Sequence, residues 1–165
     1  MLRVISTTAA LLFASSAYAE NVPITGNVSS KCTIYTDTVG VYGNPTPDEL
    51  STDSIDGGIP PVVRYDVTVA DYYIAKISWP QSFASAPSLS DAVNWDGEVT
   101  VSSTSDTLMS GYDAAKVEYE NVTEYDLTVA GSTWFAVTSE VTYGFGKSLP
   151  GGEYIANITA ECIAQ

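Results

Sequence analysis

Val63-Arg64-Tyr65-Asp66-Val67-Thr68-Val69 and, after Ala70-Asp71-Tyr72, Tyr73-Ile74-Ala75-Lys76-Ile77-Ser78-Trp79 decide the fold. In the first run Val63, Tyr65, Val67 and Val69 alternate with Arg64, Asp66 and Thr68. In the second, Tyr73, Ala75, Ile77 and Trp79 alternate with Ile74, Lys76 and Ser78. Successive side chains of a strand point to opposite faces, so each run offers one face to a core and one mostly polar face to solvent. The residues are β-branched or aromatic, the types that suit a pleated, half-buried surface.

The same alternation recurs outward along the chain. Val99 with Val101, Val117 with Tyr119, and Tyr125, Leu127 and Val129 read as short strands bounded by Asp, Asn, Gly or Ser. Trp134 to Tyr143 is longer, with Phe135, Val137, Val141 and Tyr143 on one side and Thr138, Glu140 and Thr142 on the other. Ala130-Gly131-Ser132 ahead of it reads as a hairpin turn. Helical periodicity is nearly absent, and the pattern predicts an all-β sandwich. Gly43 to Pro61, rich in Pro, Gly and acidic residues, reads as a surface loop. Gln81 to Asn94 reads as a second connection, with a helical turn at Leu89 to Val93.

The first residues have a different character. Arg3, an apolar stretch around Leu11, Leu12 and Phe13, and the small-x-small pattern Ala17-Tyr18-Ala19 predict a signal peptide over 1–19. The apolar run is shorter than the ~20 residues a membrane-spanning helix needs, so an exported chain without membrane insertion is expected. Removing 19 residues from 165 leaves 146, the size of one domain. The expected organisation is therefore a leader over 1–19, an N-terminal extension over 20–30 and a β-sandwich domain over 31–165. Arg3 is the leader's one charged residue, so the mature chain sets five Lys and Arg against 20 Asp and Glu, a net charge of −15. Nucleic acid and anionic lipid, which need clustered cations, are poor partners for such a surface.

Cys32 and Cys162 are the only cysteines. In an oxidising compartment they are expected to pair, which would bring the first and last strands side by side. Two thiols without any histidine make a poor zinc set, and no metal or other cofactor is expected. The missing histidine also removes the Ser-His and Cys-His nucleophiles. Asp96 with Glu98, or Glu118 with Glu120, supplies the two carboxylates a glycosidase needs, but a chain this acidic produces such pairs by chance, and no enzyme is expected. Asp48, Glu49, Asp53 and Asp56 are loop acids whose spacing matches no EF-hand. Of the tryptophans, Trp79 and Trp134 read as packing residues, whereas Trp95, in the turn-like Asn94-Trp95-Asp96-Gly97, is the candidate for stacking on a sugar in a monomeric secreted binding module.

Past the leader, Val22, Ile24, Gly26 and Val28 alternate with Pro23, Thr25 and Asn27. Two readings fit: the first strand of the chain's own sandwich, or an apolar strand offered to a neighbour's sheet. The chain closes on Leu149-Pro150-Gly151-Gly152-Glu153-Tyr154-Ile155-Ala156-Asn157-Ile158-Thr159-Ala160, where a small-residue turn precedes a tyrosine and alternating apolar residues. A leader, an alternating segment with one inward glycine, and this ending together resemble a bacterial chaperone–usher pilin, the major subunit of a fimbria (pilus). The resemblance is carried by the two ends, with the middle similar in general β character. It implies an immunoglobulin-like sandwich that lacks one strand and is completed by donor-strand exchange. The implied partners are identical or related subunits, with a periplasmic chaperone and an outer-membrane usher during export, and the implied location is a cell-surface filament. It assigns Val22, Ile24, Gly26 and Val28 to the donor strand and Tyr154, Ala156, Ile158 and Ala160 to the acceptor groove. The chain departs from the family in its cysteines, which lie at opposite ends of the domain rather than on two early strands, and in lacking an aromatic residue near the C-terminus.

Overall fold

The computed structural model describes residues 31–71, 73–144 and 146–165. The leader and the donor-strand residues Val22, Ile24, Gly26 and Val28 lie outside them. Eleven strands are present among the described residues. They are β1 (Cys32–Thr38), β2 (Glu49–Ser51), β3 (Val62–Val67), β4 (Tyr73–Ser78), β5 (Phe83–Ser85), β6 (Val93–Thr104), β7 (Val117–Tyr119), β8 (Val122–Asp126), β9 (Gly131–Tyr143), β10 (Ile155–Ala156) and β11 (Thr159–Ala164).

All pairings are antiparallel, and they make an all-β fold. In the first sheet β1 pairs β3, β3 and β2 pair successive parts of β9, and β6 runs along the length of β9. The second sheet has the order β11-β4-β8-β7, and β5 and β10 form a small ribbon.

The alternating runs at Val63 and Tyr73 form β3 and β4, in different sheets, and their apolar faces meet. Val63, Tyr65 and Val67 from β3, with Phe135 and Val137 from β9, pack in one buried cluster with Ala75 and Ile77 from β4 and Tyr125 from β8. Phe135 lies 4.5 Å from the Tyr125 ring and meets Tyr65 edge-on at 5.5 Å. The Tyr65 hydroxyl crosses the interior to donate to the carbonyls of Glu161 (3.0 Å) and Lys76 (3.3 Å). Burial pushes its ionisation well above the ordinary tyrosine range, so it remains a donor.

Three local expectations need correction. Gly43 to Pro61 is not only a surface loop: it holds β2, whose Leu50 and Ser51 are buried against β9. Leu89 to Val93 makes no helical turn, and Val93 instead begins the long strand β6. Helical turns lie instead at Ser54–Asp56, Thr107–Gly111 and Tyr112–Ala115, and in the last two Met109 and Tyr112 plug the core from a polar-looking stretch. Ala130-Gly131-Ser132 is not a hairpin turn either, because β8 and β9 belong to different sheets and Gly131 already pairs with Val67. Gly131 has φ +140°, and a Cβ there would stand 2.5 Å from the Ser105 hydroxyl, so glycine suits this crossing point.

Candidate binding groove

β1 and β11 are the outermost strands of the two sheets on one side of the molecule. Among the described residues β1 pairs only with β3 and β11 only with β4, so each leaves one backbone edge without a ladder partner. Between β1 and the segment from Gly152 through β10 to the start of β11 runs a groove of about 720 Å³. One wall is β1 and the turn after it, with Ile34, Thr38 and Val41. The other holds Tyr154, Ala156, Ile158 and Ala160, and all four of these residues face the groove. Buried Leu50 and Val63 lie beneath.

The local reason is period-two alternation. From Tyr154 to Ile163 every second residue is half-buried and its neighbour exposed, and Ile155 and Ile163 are on the outward side. The Tyr154 hydroxyl donates to the Pro150 carbonyl at 2.6 Å, which ties the Pro-Gly-Gly turn to the start of this wall. At the opposite end Cys32 and Cys162 form the expected disulfide, with 6.4 Å between their Cα atoms.

The acidic candidates meet elsewhere. Asp96, Glu98, Glu118 and Glu120 line a depression of about 480 Å³ together with Asp53, Asp56 and Glu140. Lys116 bridges the two expected carboxylate pairs, 3.2 Å from Glu98 and 2.7 Å from Glu118. A cation held between them neutralises charge that a two-carboxylate mechanism would use. Partial burial, and then the charges of Glu49, Asp96 and Asp56, raise the Glu140 carboxyl above its ordinary value. Among the described residues no group of three or more His, Cys, Asp or Glu is arranged to hold a metal ion. Asp53 accepts from the Ile55 amide to cap a short helical turn, and Asp48 accepts from the Thr46 hydroxyl.

Trp95 is not in a turn. It sits within β6, opposite Val141, and its ring packs 4.7 Å from Phe83, which in turn touches Tyr154 at 5.1 Å. It is half-buried, and much of its surface goes to this cluster beside the groove. Trp79 is a packing residue as expected. Trp134 instead lies on the outer sheet face, where Arg64 stands over both it and Tyr35, and its indole donates to Asp37. Reading Trp134 as a partner of this outer ladder required its register against Arg64 and Tyr35, which only strand pairing supplies.

No family model matches the chain, and no curated protein or solved structure matches it.

Proposed function

We propose that this protein is a structural, non-catalytic subunit of an extracellular bacterial filament, assembled by donor-strand exchange in the manner of chaperone–usher pilins. The observation that carries the reading is the groove between β1 and the Gly152–Ala160 segment, mainly apolar in lining, beside which β1 and β11 each leave an edge without a ladder partner among the described residues. An open edge over a half-buried core is a template for an added strand, and soluble proteins normally cover it. In this reading the two packed sheets are an immunoglobulin-like fold short of one strand.

The proposed occupant is Val22 to Val28 of a second copy. Its inward set, Val22, Ile24, Gly26 and Val28, has the same two-residue spacing as Tyr154, Ala156, Ile158 and Ala160. Each Val or Ile so buried contributes about 1.5–3 kcal/mol, and the two strand edges supply main-chain hydrogen bonds. Because the extension and the groove are different surfaces of one chain, the contact is head-to-tail and generates an open filament.

The test is assembly of the full mature chain, followed by electron microscopy and SDS-resistant laddering. Filaments that disappear when residues 20–28 are deleted from a chain still folded by circular dichroism support the reading. A folded mature protein that stays monomeric at all concentrations, with partner chaperone and usher supplied, would sink it.

A further inference from the structure

We propose that a charge-free depression bordered by Trp95 is a second binding site, and that its ligand is a neutral saccharide. β6 is 12 residues long and outruns the core that covers it. At Val99 its inward face is fully buried, whereas at Trp95 and Val93 the same face is only half-buried. What stands opposite them is the connection over 81–89, which includes β5. Between this connection and the start of β6 lies a depression of about 690 Å³.

The depression is preformed. Phe83 and Ser85 pair with Ala156 and Ile155 in the β5–β10 ribbon, and the Ser90 amide donates to the Tyr143 hydroxyl at 3.0 Å. Gly152 lets Pro87 pack closely, since a Cβ at 152 would stand 2.5 Å from the proline ring. With the connection held along its length, a ligand does not have to order it, which removes one cost of binding.

The lining selects by what it holds and by what it lacks. Trp95 meets Phe83 edge-on at 4.7 Å, a contact that occupies at most one face of the indole. Gln81, Ser82 and Ser85 add an amide and two hydroxyls, exposed and without a side-chain hydrogen bond among the described residues. No ionisable residue lines the depression, whereas seven carboxylates line the one at Glu140. A cation therefore finds no counter-charge, and the net charge of −15 on the mature chain disfavours an anion. A purely apolar ligand would strip water from the amide and hydroxyls without replacing its hydrogen bonds. A saccharide matches both features, with a C–H face for the indole and a rim of hydroxyls for the polar groups. The depression and the strand-accepting groove share no lining residue, so the site does not depend on strand exchange. Only the next step rests on the donor-strand reading: a filament carries one copy per subunit and binds a polysaccharide with avidity.

The test titrates maltotetraose, mannotetraose and galactotetraose against the full mature chain by saturation-transfer NMR. Saturable binding of at least one is expected. Trp95→Ala should weaken it about tenfold, the loss of one stacking contact. Ala84→Trp, at an exposed position of the lining, should weaken it similarly by filling the depression, and it decides alone if Trp95→Ala fails to fold. Trp134→Ala on the outer sheet face and Ile158→Asp in the groove should bind like the parent. Absence of saturable binding of all three overturns the proposal, as does parental binding by Ala84→Trp or stronger binding of a galacturonate tetramer. Loss of binding in Ile158→Asp would place the sugar at a junction between subunits and overturns it too. Strand exchange fails separately, as a mature chain that stays monomeric and still binds saccharide.

Discussion

At the scale of single residues, Gly97 and Glu140 carry the sharpest consequences. A Cβ at Gly97 would stand 2.6 Å from the Thr138 carbonyl and 2.8 Å from the Trp79 ring, so the residue is absent of side chain because β6 lies flush against both. Overfilling a packed site costs about 1–3 kcal/mol, and Gly97→Val is expected to lower the denaturant midpoint accordingly, measured by urea unfolding. Glu140 faces Asp96 directly across β6 and β9. Its raised carboxyl means that the fold disfavours the charged form: the penalty is full above the folded-state value and is relieved as pH falls toward the ordinary carboxylate range. Glu140→Gln should therefore be more stable than the parent at pH 7, by less than about 1 kcal/mol because the site is exposed. The two melting curves should converge near pH 4, and a difference that persists there would contradict a penalty tied to ionisation of Glu140, whether from burial or from the neighbouring acids.

Among the elements, the groove walls and the segment proposed to enter them make the clearest prediction. Ile24→Asp puts a charge on the inward face of the donor, where burying it unpaired is costly, whereas Thr25→Asp faces out. Loss of SDS-resistant polymers is expected for the first and near-parental assembly for the second, scored by gel. Ile158→Asp, on the receiving wall, should fail as an acceptor while its own extension still joins a parental groove. Mixed assembly would then give chains capped at one end. If both aspartates at 24 and 25 assemble equally, inward and outward faces are not distinguished and strand insertion is wrong. The alternation that predicts β3, β4 and β9 was readable because each has one face on a packed core. β2 and the Thr107–Ala115 turns were not, because three residues or one turn carry no periodicity, and their buried Leu50 and Met109 owe their burial to neighbours distant in sequence.

For the molecule as a whole, the disulfide closes a loop of 130 positions. A loop of that length corresponds to about 5 kcal/mol by the chain-entropy argument, an upper figure since strain and residual denatured-state structure reduce it. Alkylation without reduction should add no mass to the intact protein, and alkylation after reduction should add two labels. Cys32→Ser with Cys162→Ser should unfold at clearly lower urea, and an unchanged midpoint would contradict a stabilising role for the crosslink.

Two properties were determined by the sequence alone: the all-β class and the pairing of the two cysteines. Each depends on short-range periodicity or on elimination among few residues. Tertiary structure alone decided that Trp95 lies within a strand against Phe83, and that Lys116 sits between Glu98 and Glu118. It alone decided too that the disulfide narrows one end of the groove to 6.4 Å. These are contacts between strands far apart in the chain, set by register and by which strands become edges, and alternation within any one strand holds no record of its neighbours.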